Sequence, residues 1–423
     1  MSETATPRPE GGIRRVLAER DFRVYFAGSS LSVLGFWVQR LAIQAVTWNL
    51  THSHFWLGIM ALADVAAVLV LGPVAGVVTD RMDRFRLLRI TQTLAAILAT
   101  VLAVLTYAGA IDRWILLALV LAGGTVMTFN MPAQMSAIPR LVSRRNLASA
   151  LGLNGSMVTT SIFLGPMVAG LLIEFGGGAG AAFLFNAVTY GVFLIALMAL
   201  RVTPQPPRMP DATTSVRREA MAGLRYIIHH PGIGPVFLLM VMAGVLMRPV
   251  GELLAGVAGD IFGNESYLFW LATAQGGGAM VGGLLLAQRG RTAGLTQRVL
   301  LAILVSTVAV FGLSIAPVLW VALALLFASG VATATYIIGS ITLVQSAVDD
   351  AMRGRVMSFW GMTMRAAPAL GAFVVGRIAD GVGLRWPIAI AALLSLSVWL
   401  YAMARRRRLA AILESEPAPA GKA

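Results

Sequence analysis

Residues 56–86 read WLGIMALADVAAVLVLGPVAGVVTDRMDRFR. Through residue 78 the only charge is Asp64. A bilayer core takes roughly 20 apolar residues of α-helix, so this stretch is long enough to cross one. Asp80, Arg81, Asp83, Arg84 and Arg86 then end it. An apolar run that stops at clustered arginines marks a span ending on the side that retains basic loops.

The same pattern fills the chain. Apolar runs of spanning length fall at about 25–50, 56–78, 90–109, 114–137, 147–173, 180–200, 233–256, 266–287, 299–315, 317–346, 356–376 and 386–404. None has the ~10-residue alternation of an outer-membrane barrel. Of 423 residues, 58% are hydrophobic and 12% charged, half the charge of an average soluble domain. A soluble enzyme is excluded. The expected fold class is an all-α integral membrane protein with 12 transmembrane helices.

Two absences narrow the chemistry. Without cysteine there is no disulfide framework, thiolate metal site or Cys nucleophile. The single lysine is Lys422, and a Walker A loop needs Gly-Lys-Ser/Thr, so the chain is not its own ATPase. Residues 1–20 carry four arginines and no apolar core, so no cleavable signal peptide is expected. The pairs His52/His54 and His229/His230 fall in loops on opposite sides and read as surface residues. Two histidines are too few for a defined metal site, and no cofactor or metal is expected.

A net charge of +14 is ambiguous until it is placed. Of 33 basic residues, 27 lie in the tails and alternate loops of one side. Only Arg113, Arg377 and Arg385 lie on the other, and Arg40, Arg248 and Arg365 fall inside spans. This asymmetry predicts cytoplasmic termini and an even span count. The charge is an orientation signal toward membrane lipids, and no nucleic-acid partner is expected.

The longest polar stretch, 201–232, splits the chain midway. RVTPQPPRMPDATTS (201–215) is Pro-rich linker, and SVRREAMAGLRYIIHH reads as an amphipathic helix on the cytoplasmic leaflet. The divisions are a tail (1–24), six helices (25–200), the linker (201–232), six more helices (233–404) and a tail (405–423). The halves are related. Gly165, Gly170, Glu174 and Gly177 recur as Gly371, Gly376, Asp380 and Gly383 at an offset of 206, and Gly76 and Arg84 recur as Gly283 and Arg291 at 207. Such duplication suits two pseudo-symmetric bundles with parallel repeats.

The loop GVVTDRMDRFR (76–86) resembles the signature loop of the major facilitator superfamily, Gly-x-x-x-Asp-Arg-x-Gly-Arg-Arg. Gly76, Asp80, Arg81 and Arg84 match. Asp83 replaces the second glycine and Phe85 a basic residue. Asp-Arg-x-Asp-Arg resembles the siderophore and macrolide exporter branch. So do RDFRVYFAGSSLSVLGFWVQRLA (20–42), PAQMSAIPRLVSRRNLASALGLN (132–154), LGPMVAG (164–170) and MRGRVMSFWG (352–361). The resemblance implies a conformational latch: Asp80, with Arg81 and Arg84, would meet the start of span eleven near Arg353 and Arg355. In the second-half copy, Ala287 replaces the acid. Gly165, Pro166 and Gly170 resemble a helix-packing motif associated with exporters. Relatives often carry arginine where Ile162 and Gln134 stand here.

Five ionisable residues lie well within spans: Arg40, Asp64, Arg248, Glu252 and Arg365. A charge at mid-bilayer costs about 2.5–3.5 kcal/mol on insertion scales, so each is a functional candidate. Arg248 and Glu252 stand four apart and would share a helix face, with Pro249 opening the helix between them. Asp64, Glu252, Arg248 and Arg365 are the proton-coupling candidates. Substrate-cavity candidates are Trp37, Arg40, Gln44, Asn130, Asn154, Gln275 and Trp360; tryptophan faces suit amphipathic ligands.

These readings predict a secondary transporter of the bacterial inner membrane, monomeric, exporting a small amphipathic molecule in exchange for protons. Uptake or facilitated transport is the alternative. A membrane enzyme would need a constellation of catalytic or metal-binding groups, which two histidine pairs and two intramembrane acids do not supply. A subunit of an ATP-driven complex is disfavoured by the internal repeat and the Asp-Arg loop.

Overall fold

A computed structural model describes residues 12–202, 216–288 and 293–414. Every regular element among them is helical. The long helices are α1 (Arg20–Thr51), α2 (His54–Arg81), α3 (Arg84–Tyr107), α4 (Arg113–Ala137), α5 (Leu147–Phe175) and α6 (Ala179–Met198). They continue as α7 (from Ile233), α8 (Tyr267–Ala287), α9 (Leu295–Ser314), α10 (Leu319–Ala347), α11 (Asp350–Val382) and α12 (Arg385–Ala404). They lie on the twelve apolar runs. Among the described residues, ten helices are long and apolar enough to cross a membrane. The other two, α1 and α11, carry more charge and run to 32 and 33 residues.

The helices begin where the local chemistry satisfies their first N–H groups. Ser53 caps α2 by accepting from Trp56 N, and Asp112 caps α4 by accepting from Trp114 N and Ile115 N. Asp83 caps α3 by accepting from Arg86 N at 2.9 Å. This gives a reason for an acid where the signature loop has glycine: the helix start gains a side-chain acceptor.

The chain alternates between two faces. Helix α1 and the linker helix Val216–His229 start at one, called here the terminal face. Loops 52–53, 108–112, 262–266, 315–318 and 383–384 lie at the other, the far face. Five helices starting at the far face carry tryptophan within their first four residues: Trp56, Trp114, Trp270, Trp320 and Trp386. The last four are 60%, 59%, 75% and 69% exposed. Tryptophans collected at one level form the aromatic girdle of a membrane–water interface. Large apolar side chains such as Val70, Leu171 and Ile195 point outward between the faces, which a lipid solvent permits and water penalises.

Packing repeats with a shift of six helices. In the first half α1 packs on α5 and α6, α2 on α4, and α3 on α4 and α6. In the second α7 packs on α11 and α12, α8 on α10, and α9 on α10 and α12. The halves meet through α2–α11 and α5–α8. The glycines at offset 206 do matching jobs. A Cβ on Gly165 would come within 2.6 Å of Trp37 Cβ on α1, and one on Gly371 would overlap the Val245 carbonyl on α7. A Cβ on Gly170 would meet Phe269 on α8 at 2.9 Å, and one on Gly376 would overlap the His54 carbonyl on α2. Small residues let these backbones approach.

Helix α7 is not continuous. Its regular part ends at Leu246, a short turn covers Pro249–Glu252, and a π-helical turn covers Val257–Ile261. Pro249 supplies no N–H and starts the short turn. Leu253, at φ −108° and ψ 13°, separates the pieces.

Candidate functional site

A cavity of about 650 Å³ lies between the halves. Toward the terminal face it is lined as far as Ser32, Gln92, Met135 and Gly283. At the far face the halves touch: a Cβ on Gly58 of α2 would lie 2.6 Å from the Ala372 carbonyl of α11, and Gly259 of the π-turn lies against the Trp48 indole of α1. The bundle is closed at one end and hollow toward the other.

Three ionisable side chains meet at the head of the cavity. Arg40 Nη1 donates to Asp64 Oδ2 at 2.6 Å, and Arg40 Nη2 donates to Glu252 Oε1 at 2.7 Å. Asp64 belongs to the same half as Arg40, whereas Glu252 sits on the broken α7 of the other. One guanidinium therefore ties the halves together, presenting a separate nitrogen to each acid. The side chains are 26%, 32% and 19% exposed for Arg40, Asp64 and Glu252, so the cluster faces the cavity. Gln44 strengthens the tie by donating to the Gly251 carbonyl at 3.2 Å. A small second chamber inside the first half, about 70 Å³, also reaches Arg40, Asp64, Glu252 and Tyr190.

The expected Arg248–Glu252 pair does not form. Arg248 caps the short turn Pro249–Glu252 and both side chains line the cavity, but each takes a different partner. Arg248 Nη1 instead donates to the Met364 carbonyl of α11 at 2.7 Å. Arg365 reaches from α11 to the Met131 sulfur of α4. Both arginines line the cavity, as do Trp37, Asn130, Asn154 and Gln275. Asn130 donates to Thr91 Oγ1 at 2.8 Å and accepts from Gln134 at 2.6 Å, so Gln134 works in a neutral network. Trp360 does not belong to the cavity. It is 4% exposed and packs edge-on against Phe237, with ring centroids 5.5 Å apart.

Sequence reading missed the rest of the wall. Six methionines line the cavity: Met127, Met131, Met135, Met157, Met247 and Met364. Thioether side chains adapt to ligands of varied shape. Their spacing carries no signal, since methionine is common throughout this chain. Pro166 lines the cavity too, while Gly165 backs it against Trp37.

The latch residues lie at the terminal face. Arg353 and Arg355 sit inside α11, not ahead of it. Arg353 pairs with Asp350 at 2.7 Å, and Arg355 Nη1 approaches Met352 Sδ at 3.4 Å. Nothing lies within 4 Å of a Cβ built on Gly76. The Asp80 side chain and Arg291 fall outside the described residues. Asp83 stands 3.8 Å from Arg140, part of the loop that follows α4. Near the linker, Tyr226 OH donates to Asp349 at 3.1 Å.

Of the histidine pairs, His52 and His229 are exposed, as surface residues are, whereas His54 and His230 are not. His54 opens α2 and is 5% exposed. His230 Nδ1 accepts from Gly232 N and Ile233 N at the start of α7, and burial lowers its pKa below the ordinary histidine value.

Comparison with known proteins agrees with this architecture. The family model described as "transmembrane secretion effector" matches residues 15–419. The chain is 27% identical over 362 residues to the enterobactin exporter EntS of Shigella boydii serotype 18, covering 84% of each chain. The Escherichia coli O139:H28 protein of that name matches to the same extent. Among solved structures, a bacterial homologue of the human lysosomal transporter Spinster, inward-facing and unoccupied, superposes with a TM-score of 0.73 at 16% identity, covering 94% of this chain and 99% of that one. The nucleoside transporter NupG superposes with a TM-score of 0.70 at 13% identity, covering 91% of this chain and 98% of that one. The chain is a multi-pass membrane protein and belongs to the transmembrane secretion effector family of major facilitator transporters.

Proposed function

We propose that this transporter exports a small amphipathic molecule across the bacterial inner membrane by alternating access, in exchange for protons. The observation that carries this reading is Arg40 held between Asp64 and Glu252, one acid from each half. The terminal face is assigned to the cytoplasm, where the basic loops collect. The structure then corresponds to the inward-facing state, with the cavity open to cargo from the cytoplasm. Met-rich walls with Trp37 and a few amides suit a ligand that is largely apolar with polar edges. Export is supported by likeness to exporters named for enterobactin; a siderophore-like or drug-like cargo follows from that likeness.

The coupling follows from electrostatics. While Arg40 bridges the two acids, the bridge leaves no room for a proton between them. Opening the far face must separate Glu252 from Arg40. An acid losing its cation in a poorly hydrated site takes up a proton more readily. Protons therefore load when the cavity faces outward and leave when Arg40 re-forms its bridge.

The test is transport by purified protein in vesicles with an imposed pH gradient. Asp64→Asn and Glu252→Gln should each lose gradient-driven efflux while keeping substrate counterflow, since exchange needs no net proton transfer. Gradient-driven efflux that survives both changes overturns the assignment. Transport that needs nucleotide overturns the secondary-transporter reading itself.

A further inference from the structure

The cavity wall carries three arginines, Arg40, Arg248 and Arg365, against two acids, Asp64 and Glu252. Arg40 takes both acids. Whatever protons the acids hold, positive charge is in excess. Arg248 and Arg365 have no carboxylate partner among the described residues. Their hydrogen bonds go to a backbone carbonyl and a thioether.

A proline places Arg248. Pro368 lies inside α11 and supplies no N–H, so the Met364 carbonyl four residues earlier loses its helical donor. Arg248 Nη1 takes that carbonyl at 2.7 Å. A guanidinium has five N–H donors, so most of them stay available to a ligand. Arg365 is the next residue of α11. Two cationic side chains are thus drawn to one turn of α11, and both line the cavity. Like charges gathered in a poorly hydrated space raise its energy. A carbonyl and a thioether are neutral acceptors, whereas a buried charge is stable when paired with its opposite. The neighbouring Arg40–Asp64 pair presents Arg365 with one charge of each sign, so it does not neutralise that arginine. The wall of the first half differs. Met127, Met131 and Met135 of α4 and Met157 of α5 offer it an apolar, adaptable surface.

We infer that Arg248 and Arg365 form an anion subsite, and that the cargo is an amphipathic organic acid, with one carboxylate or sulfonate on an apolar body. The inference deepens the transport reading above and rests on the cavity being the cargo site. The acid group lies between the two guanidiniums, whose planar forks match it. It replaces the Met131 sulfur as the partner of Arg365, and the apolar body lies along the first-half methionines. A lipophilic cation of the same size meets two like charges there and is rejected.

Three fluorescent probes share a dansyl group and a benzyl group and differ at one position: dansyl-phenylalanine, its carboxamide and the matching primary amine. Their binding to the purified protein in nanodiscs is measured at one pH without a gradient, with empty nanodiscs subtracted. The carboxylate should bind at least about tenfold tighter than the carboxamide, as charge-assisted bonds in a desolvated site do. The amine should bind most weakly. Arg248→Gln and Arg365→Gln should each cut the preference for carboxylate over carboxamide about tenfold. Arg365→Lys, which keeps the charge but not the fork, should retain part of it. The subsite is overturned by a carboxylate that binds wild type no tighter than the carboxamide, absence of binding by all three probes included. It is also overturned by an acid preference that survives the double glutamine variant. If the glutamine variants do not fold, the wild-type ranking and Arg365→Lys decide. Equilibrium binding needs neither a transport direction nor proton coupling. Loss of gradient-driven efflux beside an intact acid preference therefore sinks antiport alone, and equal affinities beside intact efflux sink the subsite alone.

Discussion

Arg40→Ala is expected to abolish gradient-driven efflux and to slow counterflow about tenfold or more. Removing one partner of a buried ion pair costs about 3–5 kcal/mol, because the other charge is left uncompensated. Here the three side chains are 19–32% exposed, so solvent screens part of that, and about 1–3 kcal/mol is reasonable. Two acids are left facing one cavity with no cation between them. Nothing then competes with protons for the two acids as the halves rock, so the step that releases them is lost. Antiport needs that release, so coupling fails. The tie between α1 and α7 is lost as well, which removes a contact specific to the state closed at the far face. Arg40→Lys should recover counterflow only in part, since one ammonium cannot present a rigid fork to two acids. Efflux and counterflow from the same vesicle preparation separate these effects. Wild-type gradient-driven efflux in Arg40→Ala would remove the bridge from the mechanism.

The bridge also marks where reading the sequence stopped. Helices were legible because a bilayer imposes their length and composition on the chain. Which loops share a face was legible because arginines repeat on alternate loops. The cluster itself was half legible: all three members stood out as charges in apolar runs, but their pairing did not. Counting four residues from Arg248 to Glu252 finds neighbours on one turn, not the partner each side chain takes. Arg248 turns to the Met364 carbonyl, and Glu252 finds a partner 212 residues away. No local spacing encodes a contact between halves. The same limit hid His54. In the sequence His54 sits in a short polar turn; in the fold that turn is the first turn of α2, pressed under α11. Trp360 failed for a different reason, since a tryptophan suits an apolar core as well as a ligand face. The offset of 206 residues was more informative than it looked, because it located four glycines that touch matching helices.

Those glycines lead to a second large effect. Gly376→Val is expected to keep the far face from closing. A Cβ there would overlap the His54 carbonyl and approach the Phe55 nitrogen at 3.2 Å. These are backbone atoms, which cannot rotate aside, so the helices must separate. Overpacking of this kind costs about 1–3 kcal/mol, a shift of roughly 5–150-fold toward the far-face-open state. Gly76→Val should act in the opposite direction. A Cβ at Gly76 meets nothing within 4 Å in this state, so valine fits here. The signature-loop resemblance places Gly76 at a close helix approach when the terminal face shuts. The variant would then hold the protein with its far face closed. Both variants should transport poorly, yet the distance between spin labels at Ala110→Cys and Val318→Cys, on exposed far-face loops of opposite halves, should lengthen in the first and remain short in the second. Gly283→Ala is the control, since Gly283 is the second-half copy of Gly76 and its nearest contact is Ile338 Cδ1 at 3.7 Å. A Gly376→Val protein whose far face closes like wild type would show that the α2–α11 seal does not govern the gate. Equal shifts in the two valine variants would show that steric bulk anywhere along α2 or α11 disturbs the cycle, which a two-ended rocking carrier does not allow.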